Sequence, residues 1–154
     1  MSPLDRPHRF AALTALAIIA IDQVTKYWAI RALSDGPVYL IGDVLGFELA
    51  RNTGAAFGIL RGAGGLLALL AVITVAAALL VVGHLEHGTD VVAVGLVLGG
   101  AAGNLIDRVL RGDGWFDGAV VDFVANPIVP NFNVADSAIV IGVGLILLGA
   151  LRRG

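Results

Sequence analysis

Apolar residues fill four long blocks of this chain, and polar residues gather at their ends and in the connections between them. The first block runs from Phe10 to Ile21 and continues, past Asp22, through Tyr27, Trp28 and Ile30. The second covers Ala63 to Gly83, the third Val91 to Ile106, and the fourth Ser137 to Leu151. A helix needs about 20 residues to cross a bilayer, so each block predicts a span, over 10–31, 63–83, 91–108 and 133–151. The fourth reaches that length only by starting near Asn133, which places Asp136 inside the helix. Arg6, Arg9 and Ala15-Leu16-Ala17 also fit a secretory leader. The three further spans, and the lack of a polar mature domain, speak instead for a retained helix.

The two longer connections differ in character. In 32–62, Val38-Tyr39-Leu40-Ile41 and Phe47-Glu48-Leu49-Ala50 flank Gly42-Asp43, a pattern that predicts a hairpin. Gly54, Gly58, Gly62, Gly64 and Gly65 follow and permit close backbone approach. The connection 109–132, with its glycines, prolines, Trp115 and Phe116, predicts a loop with an interfacial aromatic anchor. The expected fold class is thus an all-α integral membrane protein: four transmembrane helices with a small strand-containing extracytoplasmic cradle, in one domain over 1–154. Arg6, Arg9, Arg152 and Arg153 favour both termini on the cytoplasmic side; Arg31, Arg51, Arg61, Arg108 and Arg111 weigh against it.

Composition agrees with the pattern. Of 154 residues, 58% are hydrophobic and 14% charged, against about 25% charged in soluble domains, and the mean hydropathy is +0.91. A net charge of −2 offers no basic face for nucleic acid. The absence of cysteine excludes disulfides and thiolate chemistry.

With charge so scarce, each ionisable residue near a span requires a reason. Lys26, the single lysine, follows Asp22 by one helical turn, an order that lets the pair neutralise itself; a proton relay or a substrate anchor is the alternative. Asn104, Asp107 and Arg108 close the third span, where Arg108 can snorkel and Asn104, one turn deeper, wants a hydrogen-bond partner. Asp122 and Asp136 have no base at helical spacing. Brought together, they would share a proton and could hydrolyse a peptide as an aspartyl dyad. Kept apart, Asp136 is a helix-start acid favoured by the macrodipole and Asp122 a loop acid. Spacing alone leaves both readings open. A Ser–Lys hydrolase would need Lys26 beside Ser137, although Asp22 should keep that lysine charged. His84 and His87 read as solvated residues of a short turn rather than as metal ligands.

Taken in order, these residues resemble lipoprotein signal peptidase (signal peptidase II) along nearly the whole chain. The resemblance rests on Asp22-Gln23-Val24-Thr25-Lys26, Arg51-Asn52-Thr53-Gly54-Ala55-Ala56-Phe57-Gly58, Gly103-Asn104-Leu105-Ile106-Asp107-Arg108, Val121-Asp122-Phe123 and Phe132-Asn133-Val134-Ala135-Asp136-Ser137. It implies a globomycin-sensitive aspartyl endopeptidase of the bacterial inner membrane, its site toward the outer face. Such an enzyme removes the signal peptide of a prolipoprotein just before a diacylglyceryl-modified cysteine. By position it implies Asp122 and Asp136 as catalytic residues. Asn52, Gly54, Asn104, Arg108, Asn133 and Ala135 would surround them, and Asp22 with Lys26 would form a structural pair. It implies no metal or organic cofactor. Its partners would be the lipidated substrate and membrane lipids, with no nucleic acid, for a monomer. The stretch from Leu110 through Val120 departs from the family by its length and suggests a flap or tether at the site entrance.

Overall fold

In the computed structural model, residues 5–42, 44–54, 64–114, 116 and 118–153 are described. Four helices, α1 (Asp5–Ala32), α2 (Gly64–Val82), α3 (Gly88–Leu110) and α4 (Val134–Arg153), are each long and apolar enough to cross a membrane. Helices suit this setting because their backbone polar groups are satisfied within the segment. Their outer faces carry Leu13, Leu16, Leu69, Leu80, Val140 and Leu147, all more than half exposed, as a lipid-facing surface requires. The helices overrun the expected spans by a few residues at several ends; α1 begins at Asp5 rather than at 10.

The third helix is the centre of the bundle. It packs against the other three, whereas α2 and α4 do not pack against each other among the described residues. Lipid tails are as apolar as leucine, so helices gain little from burying apolar area against one another; small residues that allow close packing take over. A Cβ at Gly99 would lie 2.8 Å from both the Ala15 carbonyl oxygen and Ile18 Cβ of α1. On the neighbouring face, a Cβ at Gly100 would collide with the Ala135 carbonyl of α4. At the far end, Arg153 Nη1 in the last turn of α4 meets Asp90 Oδ2 in the first turn of α3 at 2.8 Å. Each charge there suits the dipole of its own helix end.

At the other end lies an antiparallel sheet of three strands in the order β1-β2-β3. The expected hairpin is present as β1 (Val38–Ile41) and β2 (Leu45–Asn52), turning at Gly42, whose φ of 47° suits glycine. The third strand, β3 (Val120–Ala125), corrects the reading of 109–132 as loop throughout. Val120-Val121-Asp122-Phe123 does not alternate because nearly every β3 position is buried, on both faces. A fully buried strand gives a short apolar run with no period to detect. Phe123 of β3 and Phe47 of β2 close around Trp28 of α1, with ring centroids 6.2 and 5.3 Å away. Leu33 and Ala29 complete this contact, which fixes the sheet to the end of α1.

Candidate active site

Asp122 is in the middle of β3, and Asp136 is in the first turn of α4. Asn133 joins them. Its side-chain Nδ2 donates to Asp122 Oδ1 at 2.7 Å, while its backbone N–H donates to Asp136 Oδ2 at 3.2 Å. Asn133 is also the N-cap of α4, because its Oδ1 accepts the N–H of Asp136 at 2.9 Å. This reciprocal pattern is a capping box with aspartate at the third helical position. Asp136 is therefore a helix-start acid that is also linked to Asp122 through Asn133, whereas Asp122 is a strand residue and not a loop acid.

The other oxygens are also held by amides. Asn52 of β2 donates from Nδ2 to Asp122 Oδ2 at 3.0 Å. The register brings this about, since Asn52 lies opposite Val120 and thus diagonal to Asp122 on one face of the sheet. Asn52 Oδ1 in turn accepts the N–H of buried Gly54 at 3.1 Å. Asn104 of α3 donates from Nδ2 to Asp136 Oδ1 at 2.7 Å. Asp122 is only 2% exposed, and desolvation, followed by the nearby charge of Asp136, pushes its carboxyl up to about 6. The Asn52 and Asn133 hydrogen bonds oppose that rise.

Directly behind this pair lies a buried ionic node. Lys26 Nζ contacts Asp22 Oδ2 at 2.8 Å, Asp107 Oδ2 at 2.9 Å and Asn104 Oδ1 at 3.0 Å. All three ionic side chains are fully buried, which is tolerable only when charges are paired and hydrogen-bonded. The Asp22–Lys26 pair read from the sequence is thus completed by Asp107, which is no interfacial helix-end acid. Gln23 bridges both carboxylates, and Arg111 Nε binds Asp107 Oδ1 at 2.9 Å. With its three donors taken up, Lys26 is not a base for Ser137, whose Oγ donates to the Asn133 carbonyl at 3.0 Å.

A cleft of about 670 Å³ opens beside Asp136, lined among others by Asn52, Gly54, Arg108, Leu67 of α2 and Val140 of α4. Its apolar part lies at the gap between α2 and α4, and its polar floor is the Asp136 end. Arg108 is 8% exposed; its Nη1 donates to the Asn104 carbonyl at 3.3 Å, and its Nε has no partner among the described residues. All eight positions expected at or around the dyad thus meet at one place, Ala135 through its backbone. Asp107 and Gln23 were not expected at the site, although both lie within the motifs that carry the family resemblance and are polar within apolar helices. His84 and His87 lie on the exposed turn at the other end. Among the described residues no group of three or more His, Asp or Glu side chains converges. Trp115, expected as an anchor, lies outside the described residues.

Known proteins match this arrangement over most of its length. The sequence pattern of the family described as signal peptidase (SPase) II matches residues 14–152. The lipoprotein signal peptidase of Shouchella clausii (strain KSM-K16) is 43% identical over 148 residues, covering 94% of each chain. That of Rhodococcus jostii (strain RHA1) is 44% identical over 132 residues, 85% of this chain and 67% of the relative. A bacterial membrane enzyme solved by the in meso method at 2.3 Å superposes with a TM-score of 0.81 at 34% identity, over 92% of this chain and 87% of the other. With motifs, helices and sheet in agreement, the chain belongs to the signal peptidase II family of membrane peptidases.

Proposed function

We propose that the protein is an aspartyl endopeptidase that cuts a diacylglyceryl-modified prolipoprotein just before its lipidated cysteine, with Asp122 and Asp136 as the catalytic pair. The observation that carries this reading is the single residue, Asn133, that hydrogen-bonds both carboxylates while capping α4. Like charges held this close keep one proton between them. In the reaction, the ionised carboxylate takes a proton from water as its oxygen attacks the scissile carbonyl carbon, and the protonated carboxyl polarises the carbonyl oxygen. The tetrahedral intermediate collapses as the C–N bond breaks, with a proton passing to the leaving amine of the cysteine. Neutral amides from Asn52, Asn104 and Asn133 hold the carboxylates without quenching their charge difference. Arg108 faces the cleft and orients the peptide backbone.

The cleft suits a substrate that is part lipid. Acyl chains fit against Leu67, Val140 and Ile141 at the membrane-facing gap, which leaves the peptide near Asp136. The sheet closes over the peptide. The protein works as a single membrane-embedded domain, with termini in the cytoplasm and the dyad near the outer face. To test this, the purified protein is incubated with a prolipoprotein peptide, either diacylglyceryl-modified or bare, and the products are weighed by mass spectrometry. The expected product begins at the lipidated cysteine and arises from the modified peptide only. Equal cleavage of the bare peptide, or cleavage elsewhere, contradicts the proposal.

A further inference from the structure

The buried node does more than neutralise itself. Asp22 Oδ1 accepts the backbone N–H of Ala135 at 3.0 Å, and Asp107 Oδ2 accepts the backbone N–H of Val121 at 3.1 Å. Ala135 immediately precedes Asp136, and Val121 immediately precedes Asp122. Each buried carboxylate therefore grips the peptide unit next to one of the two candidate catalytic aspartates. One ammonium, on Lys26, holds both carboxylates. The third donor of that ammonium goes to Asn104 Oδ1, whose amide nitrogen donates to Asp136. Three elements that share no local sequence, α1, β3 and α4, are thereby tied to α3 at one point.

We infer that Asp22, Lys26 and Asp107 are the positioning residues that set the separation of Asp122 and Asp136, acting through the backbone of Val121 and Ala135. Two further contacts support this. A Cβ at Gly103 would lie 2.8 Å from Asp22 Oδ2, so glycine there lets the carboxylate sit against α3. Val121 is gripped from both sides, because its carbonyl also accepts Asn133 Nδ2 at 3.3 Å. The two N–H contacts satisfy the buried carboxylates and, in doing so, fix the backbone beside each aspartate to the node.

The inference rests on the dyad reading, and its test separates the two. Asp22→Glu and Asp107→Glu keep the charge and the ion pair with Lys26 but move the accepting oxygen by one methylene. Each variant is expected to insert and fold, with a lowered melting temperature because a methylene is added in a packed site, so turnover is counted per folded protein. Its kcat is expected to fall about 10- to 100-fold, as displacement of a reacting group by an ångström does, with KM little changed. The backbone amide resonances give a second readout: Asp107→Glu shifts Val121 and Asp122, and Asp22→Glu shifts Ala135 and Asp136. If a glutamate variant is too unstable to assay, the native protein still answers. The Val121 and Ala135 amides must then be among the slowest to exchange, and rapid exchange of either overturns the inference. Glutamate variants that fold and turn over at the native kcat also overturn it, as does activity lost only in proportion to folded protein. Inactive Asp122→Asn and Asp136→Asn alongside fully active glutamate variants would refute the positioning role and leave the dyad standing.

Discussion

At the scale of single residues, Asp122 carries the most direct consequence. Burial first, and Asp136 second, raise its carboxyl to about 6 from an ordinary value of 3.8. A raised acid binds its proton more tightly in the folded protein, so the resulting stabilisation is complete below the ordinary value and is lost as pH rises through about 6. The melting temperature of the native protein should therefore fall more between about pH 4 and pH 7 than that of Asp122→Asn, which has no proton to lose there. Parallel curves for the two proteins would contradict the environment described for Asp122. In the proposed mechanism the same ionisation removes the proton the pair needs, so kcat/KM is expected to decline on the alkaline side of about pH 6, where it reports groups of the free enzyme. The sequence made these two aspartates conspicuous because charge is rare in the chain. It could not reveal Asn133 as their bridge, since a capping asparagine looks alike whatever else its amide touches.

At the scale of elements, the helices were legible from length and apolar composition, and the missing strand shows where such reading stops. Strand β3 is buried on nearly all of its length and has no alternation, so its partner β2, distant in sequence, makes it a strand. The bundle packing was also hidden, because glycines within α3 look like helix weakeners until the neighbouring backbone is seen. Gly99 should therefore respond to bulk and Gly144 should not. Gly99→Val forces α1 away from α3 and should cost about 1–3 kcal/mol, the usual penalty of overpacking. A Cβ at Gly144 meets nothing within 4 Å, so Gly144→Ala should be neutral or stabilising by up to about 1 kcal/mol from helix propensity. Thermal unfolding in lipid or detergent measures both, and a larger loss for Gly144→Ala would reverse the packing assignment.

At the scale of the whole molecule, the bundle is asymmetric. Among the described residues helix α3 serves three neighbours and α2 and α4 do not pack together, which leaves a membrane-facing gap between them that runs to Asp136. A substrate already anchored in the bilayer can reach the site through such a gap without leaving the lipid. Val140 stands at its mouth, 72% exposed, so Val140→Trp should narrow the gap without touching the carboxylates. KM for a diacylglyceryl-modified peptide is expected to rise several-fold with kcat held, measured at several substrate loads in the same lipid; an unchanged KM would close this route.

The central claim is that two carboxylates joined through Asn133 perform the cleavage. Its most direct measurement is the turnover of a diacylglyceryl-modified prolipoprotein by membrane-inserted Asp122→Asn and Asp136→Asn, each shown to be folded. Asparagine keeps the shape and removes the acid. Neither variant should cleave detectably, and full activity in either one would contradict the role of the pair.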